Sequence, residues 1–139
     1  MPGAPSRTRQ KILLVDDSRL CREMTEMVLS RAGFDVIALS SPLRFSMTVY
    51  DEAPDLALVD VAMPAFNGDQ MVLGARRSLG SLCPIVFYSE RSESELKSLV
   101  EKCGAAGYIR KTEDWAGFVA QVTRLLRESL SGARSALRL

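Results

Sequence analysis

The sequence predicts an α/β fold of the doubly wound type, with a five-stranded parallel sheet between two layers of helices. Two observations predict it. Short apolar runs recur with room for a helix between them, and most of the runs are continuous, as expected for strands buried on both faces. The runs are KILLV (11–15), FDVIAL (34–39), DLALV (55–59), PIVFY (84–88) and AGYI (106–109). This (βα)5 order implies right-handed crossovers and one parallel sheet.

The first helix is predicted to follow the first run, with Ser18 as its N-cap and a stop at Gly33. Its apolar residues recur at helical spacing, and we expect this stripe to face the core: Leu20, Met24, Met27 and Val28. Two weaker helical patterns, Pro42 to Tyr50 and Gly68 to Leu79, lie on either side of the third run.

The last two helices have the clearest apolar stripes, and both are predicted to pack on the sheet. The stripe of the fourth helix comes before a stop at Gly104 and contains Leu96, Leu99, Val100 and Cys103. The stripe of the fifth helix contains Trp115, Phe118, Val119, Val122, Leu125 and Leu126. Stripes of this kind are most simply core faces rather than cofactor sites.

The composition indicates one globular domain. The chain has 139 residues, of which 47% are hydrophobic, and this is enough for a single core. Its 18 basic and 17 acidic residues leave a formal net charge of +1, so we expect no direct nucleic-acid partner. We predict a disordered leader over residues 1–10, a folded domain over residues 11–130 and a C-terminal tail over residues 131–139, too short for an effector domain.

The sequence predicts a cytoplasmic protein with no membrane insertion. No apolar run approaches the roughly 18 residues needed to span a bilayer, and the basic leader has no apolar segment behind it. The cysteines Cys21, Cys83 and Cys103 are odd in number and far apart, which is typical of reduced thiols. We expect each of them to be a small core residue.

The absence of histidine excludes several kinds of chemistry. The sequence contains none, so it cannot form a Ser-His-Asp triad, a Cys-His pair, a histidine-ligated zinc site or a phosphohistidine. The remaining chemistry must rest on carboxylates, hydroxyls and amines.

Polar residues that could form a site lie at the ends of four of the five apolar runs. Asp16 and Asp17 follow the first run, Asp60 the third, Ser89 the fourth and Lys111 the fifth, close behind its last apolar residue. Because ligands of doubly wound sheets bind at the carboxyl ends of the strands, we expect these side chains to share one site. Adjacent carboxylates at the end of a buried strand also require a nearby cation.

The residue types at this predicted site suit phosphoryl chemistry. Three carboxylates make a hard oxygen site of the kind that Mg²⁺ prefers. Lys111 adds a second cation and Ser89 a hydroxyl donor, which together could hold a phosphoryl group. Asp60 lies between them and is the predicted nucleophile that would form an aspartyl phosphate.

These motifs resemble those of the response-regulator receiver domain, the phosphoacceptor of bacterial two-component signalling. The resemblance rests on "VDD", "LVDVAMPAFNG", "FYS" and "GYIRK", which occur in the family's order with its spacing, and covers about Lys11 to Leu130. In form the chain is closest to single-domain members such as the chemotaxis regulator. The resemblance implies a flavodoxin-like, three-layer αβα fold.

The resemblance also implies a role for each site residue. Asp17 would bind Mg²⁺ directly and Asp16 largely through water, with Asp60 as both ligand and phosphoacceptor. The backbone carbonyl of Ala62 would complete the protein's ligands. Ser89 and Lys111 would then contact phosphoryl oxygens. Tyr108 matches an aromatic residue of the family that turns inward when the hydroxyl residue moves toward the phosphoryl group.

The implied function is that of a stand-alone receiver rather than an enzyme, although it assists its own phosphotransfer and dephosphorylation. A sensor histidine kinase or a phosphotransfer protein would be the donor. A downstream protein would bind the surface formed by the fourth helix, the last strand and the fifth helix.

Other interpretations of the same residues stay open from the sequence alone. The chain could be a pseudo-receiver that binds proteins without phosphorylation, or a flavodoxin-like FMN carrier, although an acidic first loop would repel the FMN phosphate. Ser89 could be the N-cap of the fourth helix, and Tyr108 a half-buried strand aromatic. Asp16, Asp17 and Asp60 could be solvated loop acids.

The chain departs from the family pattern in three places. Thr112 stands where a cis proline usually follows the lysine, so we expect either a trans link with a shifted lysine or a strained cis link. Glu90 replaces a small residue and could repel an anionic donor unless Arg91 or Lys97 draws it outward. Ala62 and Arg91 occupy positions that tune the lifetime of the phosphoryl group in this family.

Overall fold

The computed structural model describes residues 9–64, 66–72 and 83–137, and the side chains of these up to residue 129. The strands are β1 (Lys11–Val15), β2 (Asp35–Leu39), β3 (Leu56–Asp60), β4 (Ile85–Ser89) and β5 (Gly107–Arg110). The helices are α1 (Arg19–Arg31), α2 (Phe45–Glu52), α3 (residues 68–72 of it described), α4 (Glu93–Cys103) and α5 (Trp115–Leu137), with a 3-10 turn over Pro42–Arg44.

The strands form one parallel sheet in the order β2-β1-β3-β4-β5. β1 lies between β2 and β3, with Val15 paired to Leu39 on one side and to Val59 on the other. The strand order therefore reverses at β1 and β3, and a crevice opens beyond their carboxyl ends. The predicted doubly wound (βα)5 fold is confirmed.

Alternate residues of the strands feed two separate core layers. Leu13, Val15, Val59 and Phe87 belong to the cluster that includes Phe45 of α2 and Leu96 of α4. The intervening residues belong to the cluster on the opposite face, which contains Ile12, Leu14, Leu58, Val86, Tyr88 and Ile109 together with Leu29 of α1 and Phe118 of α5. Burial on both faces explains why these strands have continuous apolar sequences.

The predicted core face of α1 is wrong. Leu20, Met24 and Met27 are exposed by 69%, 38% and 45%, whereas Thr25 and Leu29 are fully buried. Thr25 packs inside the core, where its hydroxyl lies 3.2 Å from the Tyr88 hydroxyl, so a polar residue is satisfied at a position where the sequence pattern favours an apolar one. Of the predicted stripe, Val28 alone packs against the core.

The ends of α1 follow the sequence prediction. Ser18 Oγ accepts a hydrogen bond from the Cys21 amide at 3.3 Å and caps the helix. At the other end Ala32 is the C-cap, and Gly33 takes a φ of +99°, which an L side chain rarely adopts. The Ser18 cap therefore fixes where the loop after β1 leads into the helix, and Gly33 marks where the chain leaves it for β2.

The predicted faces of α4 and α5 are confirmed. Leu96 is fully buried, with Leu99, Val100 and Cys103 packed against it. Phe118, Val122, Leu125 and Leu126 of α5 are buried on the other face, with Trp115 and Val119 at their edge. The weaker pattern at Pro42 to Tyr50 corresponds to the 3-10 turn followed by α2.

Some sequence predictions fall partly outside the described residues. The Gly68 to Leu79 helix is described only over residues 68–72, and residues 1–8 of the predicted leader lie outside the described part. α5 extends to Leu137, so residues 131–137 of the predicted tail are helical. Within the described ranges, no helix has the length and apolar character required to cross a membrane.

Candidate functional site

The carboxyl ends of four strands bring the predicted site residues to one edge of the sheet. Asp16 follows β1 directly, and its amide donates to the Leu39 carbonyl of β2 at 3.1 Å. Asp60 and Ser89 are the last residues of β3 and β4. Lys111 follows β5, and its amide donates to the Ser89 carbonyl at 2.7 Å. The ladder thus fixes the backbone of each residue independently of its side chain.

The three carboxylates converge. One oxygen from each of Asp16, Asp17 and Asp60 lies within 4.8 Å of the others. Asp16 is fully buried and Asp60 is 3% exposed, whereas Asp17 is exposed at the mouth of the cleft. Charges this close raise the free energy of the site unless a cation offsets their repulsion.

Lys111 supplies one such cation. Its Nζ donates to Asp16 Oδ2 at 3.1 Å and to Asp60 Oδ2 at 3.3 Å, and its side chain is only 12% exposed. Burial alone would lower the pKa of Lys111, but the hydrogen bond from its ammonium to Asp16, with the charges of Asp16 and Asp60, raises that pKa overall. The lysine is therefore held in its charged form between the two buried acids.

Asp16 is the structural centre of the cluster. Its Oδ1 accepts the Ser18 amide at 2.9 Å while Oδ2 accepts Lys111, and its backbone carbonyl accepts Arg22 Nη1 at 2.9 Å. Burial raises the pKa of Asp16, and the Ser18 amide and Lys111 oppose that rise. Both carboxylate oxygens already have a donor, so Asp16 orders the first loop as well as contributing charge.

Asp60 has one oxygen on each side of the cleft. Oδ2 accepts Lys111, and Oδ1 accepts the backbone amide of Ala62 at 2.9 Å. Ala62 is exposed in the turn after β3, and its amide contacts the Asp60 carboxylate. Asp60 is thus oriented by two donors from different parts of the chain.

The donor set fits a magnesium ion. Mg²⁺ binds carboxylate oxygens, tolerates few protein ligands and retains several waters. Three acidic side chains with one oxygen each in mutual reach, one of them open to solvent, meet these requirements. Asp16, Asp17 and Asp60 are the residues that could hold the ion.

Ser89 lies at the same edge, and its alternative interpretation as a helix cap is wrong. The side chain is 2% exposed, and its Oγ accepts the Arg91 amide at 3.1 Å. The N-cap of α4 is Ser92, whose Oγ accepts the Glu95 amide at 3.2 Å. The Ser89 hydroxyl is therefore not required to start the helix.

Tyr108 points away from the acidic cluster. Its hydroxyl donates to Glu93 Oε1 of α4 at 2.8 Å, and its ring packs at the edge of the core layer beneath α4. The hydrogen bond to Glu93 raises the pKa of Tyr108. Of the predicted site residues, Tyr108 is thus the one that the structure places outside the cleft, as a half-buried aromatic of β5.

The link from Lys111 to Thr112 is trans, because no cis peptide bond occurs among the described residues. The lysine nevertheless reaches both Asp16 and Asp60, so the trans link does not misdirect it. Thr112 instead accepts the Asp114 amide on its Oγ1 at 3.2 Å and shapes the entry to α5.

Glu90 is exposed and lies at a mainly apolar cavity of about 250 Å³. The other lining residues are Cys21, Met24, Tyr88, Lys111, Thr112, Glu113 and Trp115.

Three residues that support the site, Arg22, Tyr88 and Thr25, were not predicted from the sequence. Arg22 binds the Asp16 carbonyl, and Tyr88 places its ring 5.0 Å from Lys111 Nζ while its hydroxyl meets Thr25. A tyrosine inside an otherwise apolar strand was the available signal, because a buried phenol needs a hydrogen-bond partner. The position of Arg22 on α1 had no such signal.

Comparisons with known proteins agree with this geometry. The model of the response regulator receiver domain matches residues 12–123. The transcriptional regulatory protein CseB of Streptomyces coelicolor is 33% identical over 116 residues, covering 84% of this chain and 49% of that protein. GltR of Pseudomonas aeruginosa, also a transcriptional regulatory protein, is 31% identical over 125 residues, covering 89% and 52%.

Similarity also extends to a solved structure. The chemotaxis protein CheY4 of Vibrio cholerae has a TM-score of 0.76 at 25% identity, covering 85% of this chain and 99% of that chain. The chain spans about half the length of the curated relatives that it matches. From the family match over most of its length and the acidic cluster at the strand ends, this chain belongs to the response regulator receiver domain family.

Proposed function

We propose that this receiver accepts a phosphoryl group on Asp60 from a histidine kinase or phosphotransfer protein, in a Mg²⁺-dependent reaction. The observation that carries the proposal is the position of Lys111 Nζ between Asp16 and Asp60, beside an exposed Asp17. Phosphoryl transfer needs mainly positioning and charge stabilisation, and this cluster supplies both around one carboxylate.

The three acids are proposed to have different roles in metal binding. Asp17 is exposed and within reach of Asp60, so these two are the proposed direct ligands, with the Ala62 carbonyl as the proposed backbone ligand. Asp16, whose oxygens accept the Ser18 amide and Lys111, is proposed to act largely through water. Bound Mg²⁺ would neutralise charge that develops on the phosphoryl oxygens.

The proposed transfer uses this chain's side chains as follows. An oxygen of Asp60 attacks the phosphorus of a phosphohistidine, the new P–O bond forms as the P–N bond breaks, and the electron pair leaves with the imidazole. Lys111 stays protonated, and its hydrogen bond moves from an Asp60 oxygen to a phosphoryl oxygen. Ser89 donates its hydroxyl to another phosphoryl oxygen after leaving the Arg91 amide. Tyr108 is the proposed second switch residue.

Two surfaces fit the proposed partners. The exposed apolar residues Leu20 and Met24 of α1 lie on the first helix beyond Asp16, where a donor protein must approach. On the other side, Tyr108 and Glu93 join β5 to α4, so a movement of Tyr108 would change the surface formed by α4, β5 and α5. We place the output contact on this second surface. The switch then needs a free-energy gap of only a few kcal/mol.

The bounds of the receiver, its compartment and its pathway are also proposed. The receiver unit is proposed to span residues 11–130, and the three free thiols suit a reducing, cytoplasmic compartment. The relatives CseB and GltR are transcriptional regulatory proteins, so a role in gene regulation is one pathway in which this chain can be tested. Stand-alone action without direct nucleic-acid binding stays a prediction, as does the assistance to dephosphorylation.

The test is incubation with acetyl phosphate and Mg²⁺, followed by intact mass spectrometry. We expect wild type to gain one base-labile phosphoryl group, and Asp60→Asn to gain none. Asp51→Asn removes an exposed carboxylate of α2 and is the matched control, which should react like wild type. A wild-type protein that stays unmodified with Mg²⁺ present would contradict the proposal.

One observation favours a second candidate, a pseudo-receiver that binds proteins without being phosphorylated. Lys111 already pairs with both buried acids, and Glu90 adds an exposed negative charge beside the cleft. A folded protein that binds no Mg²⁺ in calorimetric titration would identify this second function.

A further inference from the structure

We propose that Tyr88 is a positioning residue whose ring holds the Lys111 ammonium in line with the acceptor carboxylate. The proposal rests on the proposed phosphoryl function of Asp60 and adds a residue to it. Tyr88 lies one residue before Ser89 on β4, and its ring centroid is 5.0 Å from Lys111 Nζ. This distance is within the range in which an aromatic face attracts a cation.

The ring itself is held rigidly. Tyr88 is 3% exposed, its hydroxyl is bonded to Thr25 of α1 at 3.2 Å, and its ring packs on Phe118 of α5 at 5.4 Å between centroids. Three elements therefore fix the ring from different directions. A side chain fixed in this way can act as a template, because it does not move with the group that rests on it.

A lysine side chain needs such a template. It has four rotatable bonds, and ordering them costs free energy that opposes the two ion pairs it makes. In this chain Thr112, not proline, follows the lysine, so no proline ring stiffens the backbone there. The backbone of Lys111 is anchored by Ser89, and its ammonium by Asp16, Asp60 and the Tyr88 ring.

The ring also leaves the lysine's donors free for oxygen atoms. An aromatic face attracts the ammonium without accepting a conventional hydrogen bond, so it does not compete with the two carboxylates. Asp16 and Asp60 use two of the three N–H donors of Lys111 in the present arrangement. The ring can therefore hold the charge in place while its donors change from Asp60 to a phosphoryl oxygen.

The test measures beryllofluoride and Mg²⁺ affinities separately, with fluorescence of Trp115, the single tryptophan, as the probe. We expect Tyr88→Leu to weaken beryllofluoride binding about three- to tenfold and Tyr88→Phe, which keeps the ring, to stay within about twofold of wild type. Mg²⁺ affinity should change less than about twofold in both variants. In a Lys111→Ala background, Tyr88→Leu should have no further effect, because its influence passes through the lysine.

Loss of beryllofluoride affinity that is equally large with and without Lys111 would show a merely structural role and overturn the proposal, as would wild-type affinity in Tyr88→Leu. If Tyr88→Leu does not fold, the ε-methylene proton shifts of Lys111 decide instead. They should lie upfield in wild type and Tyr88→Phe, and ordinary shifts would overturn the proposal. A wild type that binds Mg²⁺ but no beryllofluoride would contradict the phosphoryl function itself, which separates the two failures.

Discussion

Lys111 Nζ lies 3.3 Å from Asp60 Oδ2, so the candidate phosphoacceptor is paired with a cation before any phosphoryl group arrives. The same ammonium lies 3.1 Å from Asp16, which is fully buried. The lysine therefore pairs with both acids and offsets their mutual repulsion, and in the proposed function it also serves a phosphoryl oxygen.

Removing the lysine's charge should destabilise the fold. Lys111→Met leaves Asp16 buried without its counter-charge, and breaking one side of a buried pair costs about 3 kcal/mol. We expect urea unfolding at pH 7.5 without Mg²⁺ to show a loss of about this size. Added Mg²⁺ should restore more stability in the variant than in wild type, because a second cation can offset the same acids.

The control for this prediction is Lys11→Met. Lys11 pairs with Glu52 at 3.3 Å, but the Glu52 side chain is 44% exposed, so its loss should cost below about 1 kcal/mol and show no response to Mg²⁺. Equal losses in the two variants would contradict the argument. Burial raises the pKa of Asp16 in the fold and Lys111 opposes that rise, so without the lysine the folded state should bind the Asp16 proton still more tightly. The deficit of Lys111→Met relative to wild type should therefore shrink as pH falls.

The bond between Tyr108 and Glu93 makes a second prediction. The Glu93 carboxylate accepts the phenol at 2.8 Å and raises the pKa of Tyr108. Glu93→Gln removes the charge but keeps an acceptor, so the pKa of Tyr108 should fall toward its ordinary value in an alkaline NMR titration of the ring carbons. Glu95→Gln, on the same helix turn, is the control and should leave the Tyr108 curve in place.

The same variant bears on switching. In wild type the Glu93 bond holds the Tyr108 ring outward, and an inward turn must break it. With beryllofluoride bound, Glu93→Gln should show a larger inward population than wild type, measured from ring-to-methyl nuclear Overhauser contacts. An unchanged population would mean that Glu93 does not restrain the ring.

The cysteines should differ sharply in reactivity. Burial raises the pKa of the Cys83 thiol to about 12, and the side chain is 4% exposed. Cys21 and Cys103 are only partly buried. Since the thiolate is the reactive form, a disulfide reagent at pH 8 should label Cys21 and Cys103 well before Cys83, as read by peptide mapping. Cys83→Ala should keep the two fast labels, and early labelling of Cys83 would contradict the prediction.

Cys83 also affects stability in alkali. The folded state keeps its proton to about pH 12, whereas an unfolded thiol releases it near pH 9, so the unfolded state binds fewer protons between these values. The free energy of unfolding should therefore fall as pH rises through this window, by at most about 1.4 kcal/mol per pH unit. Comparing wild type with Cys83→Ala isolates this contribution.

The sequence was sufficient for the sheet and for the position of the acids, for a topological reason. Parallel strands of similar length end at one edge, so the residues after each apolar run had to lie near one another. Asp16, Asp60 and Lys111 meet as this argument requires. The ladder alone places their backbones, and no side-chain information is needed.

The sequence was insufficient to predict features that depend on a single polar contact, such as the core face of a helix or the residue that caps it. The core face of α1 includes Thr25, whose hydroxyl contacts Tyr88, 63 residues away in the sequence. Local periodicity carries no information about such a contact. The cap of α4 is Ser92 rather than Ser89 because two bend residues, Glu90 and Arg91, separate the end of β4 from the cap. Long-range partners of single hydroxyls are thus what the pattern could not supply.

The last prediction concerns Gly68, at the start of α3. The expected effect of Gly68→Ala is the opposite of the one that helix propensity alone predicts. Replacing glycine by alanine in a helix usually stabilises it by up to about 1 kcal/mol. Here a Cβ would lie 2.7 Å from Cys103 Sγ and 3.1 Å from the rings of Phe66 and Phe87, which are already in edge-to-face contact. Gly68→Ala should therefore destabilise the protein, by about 1–2 kcal/mol in urea unfolding.

The two neighbours can be separated by a double variant. Cys103→Ala removes the closest atom, so Gly68→Ala should cost less in that background than in wild type, and the cost that remains belongs to the two phenylalanine rings. A Gly68→Ala protein that is more stable than wild type would show that the rings and the thiol move aside freely. That result would also mean that α3 and α4 have room between them for a methyl group at position 68, beside Cys103.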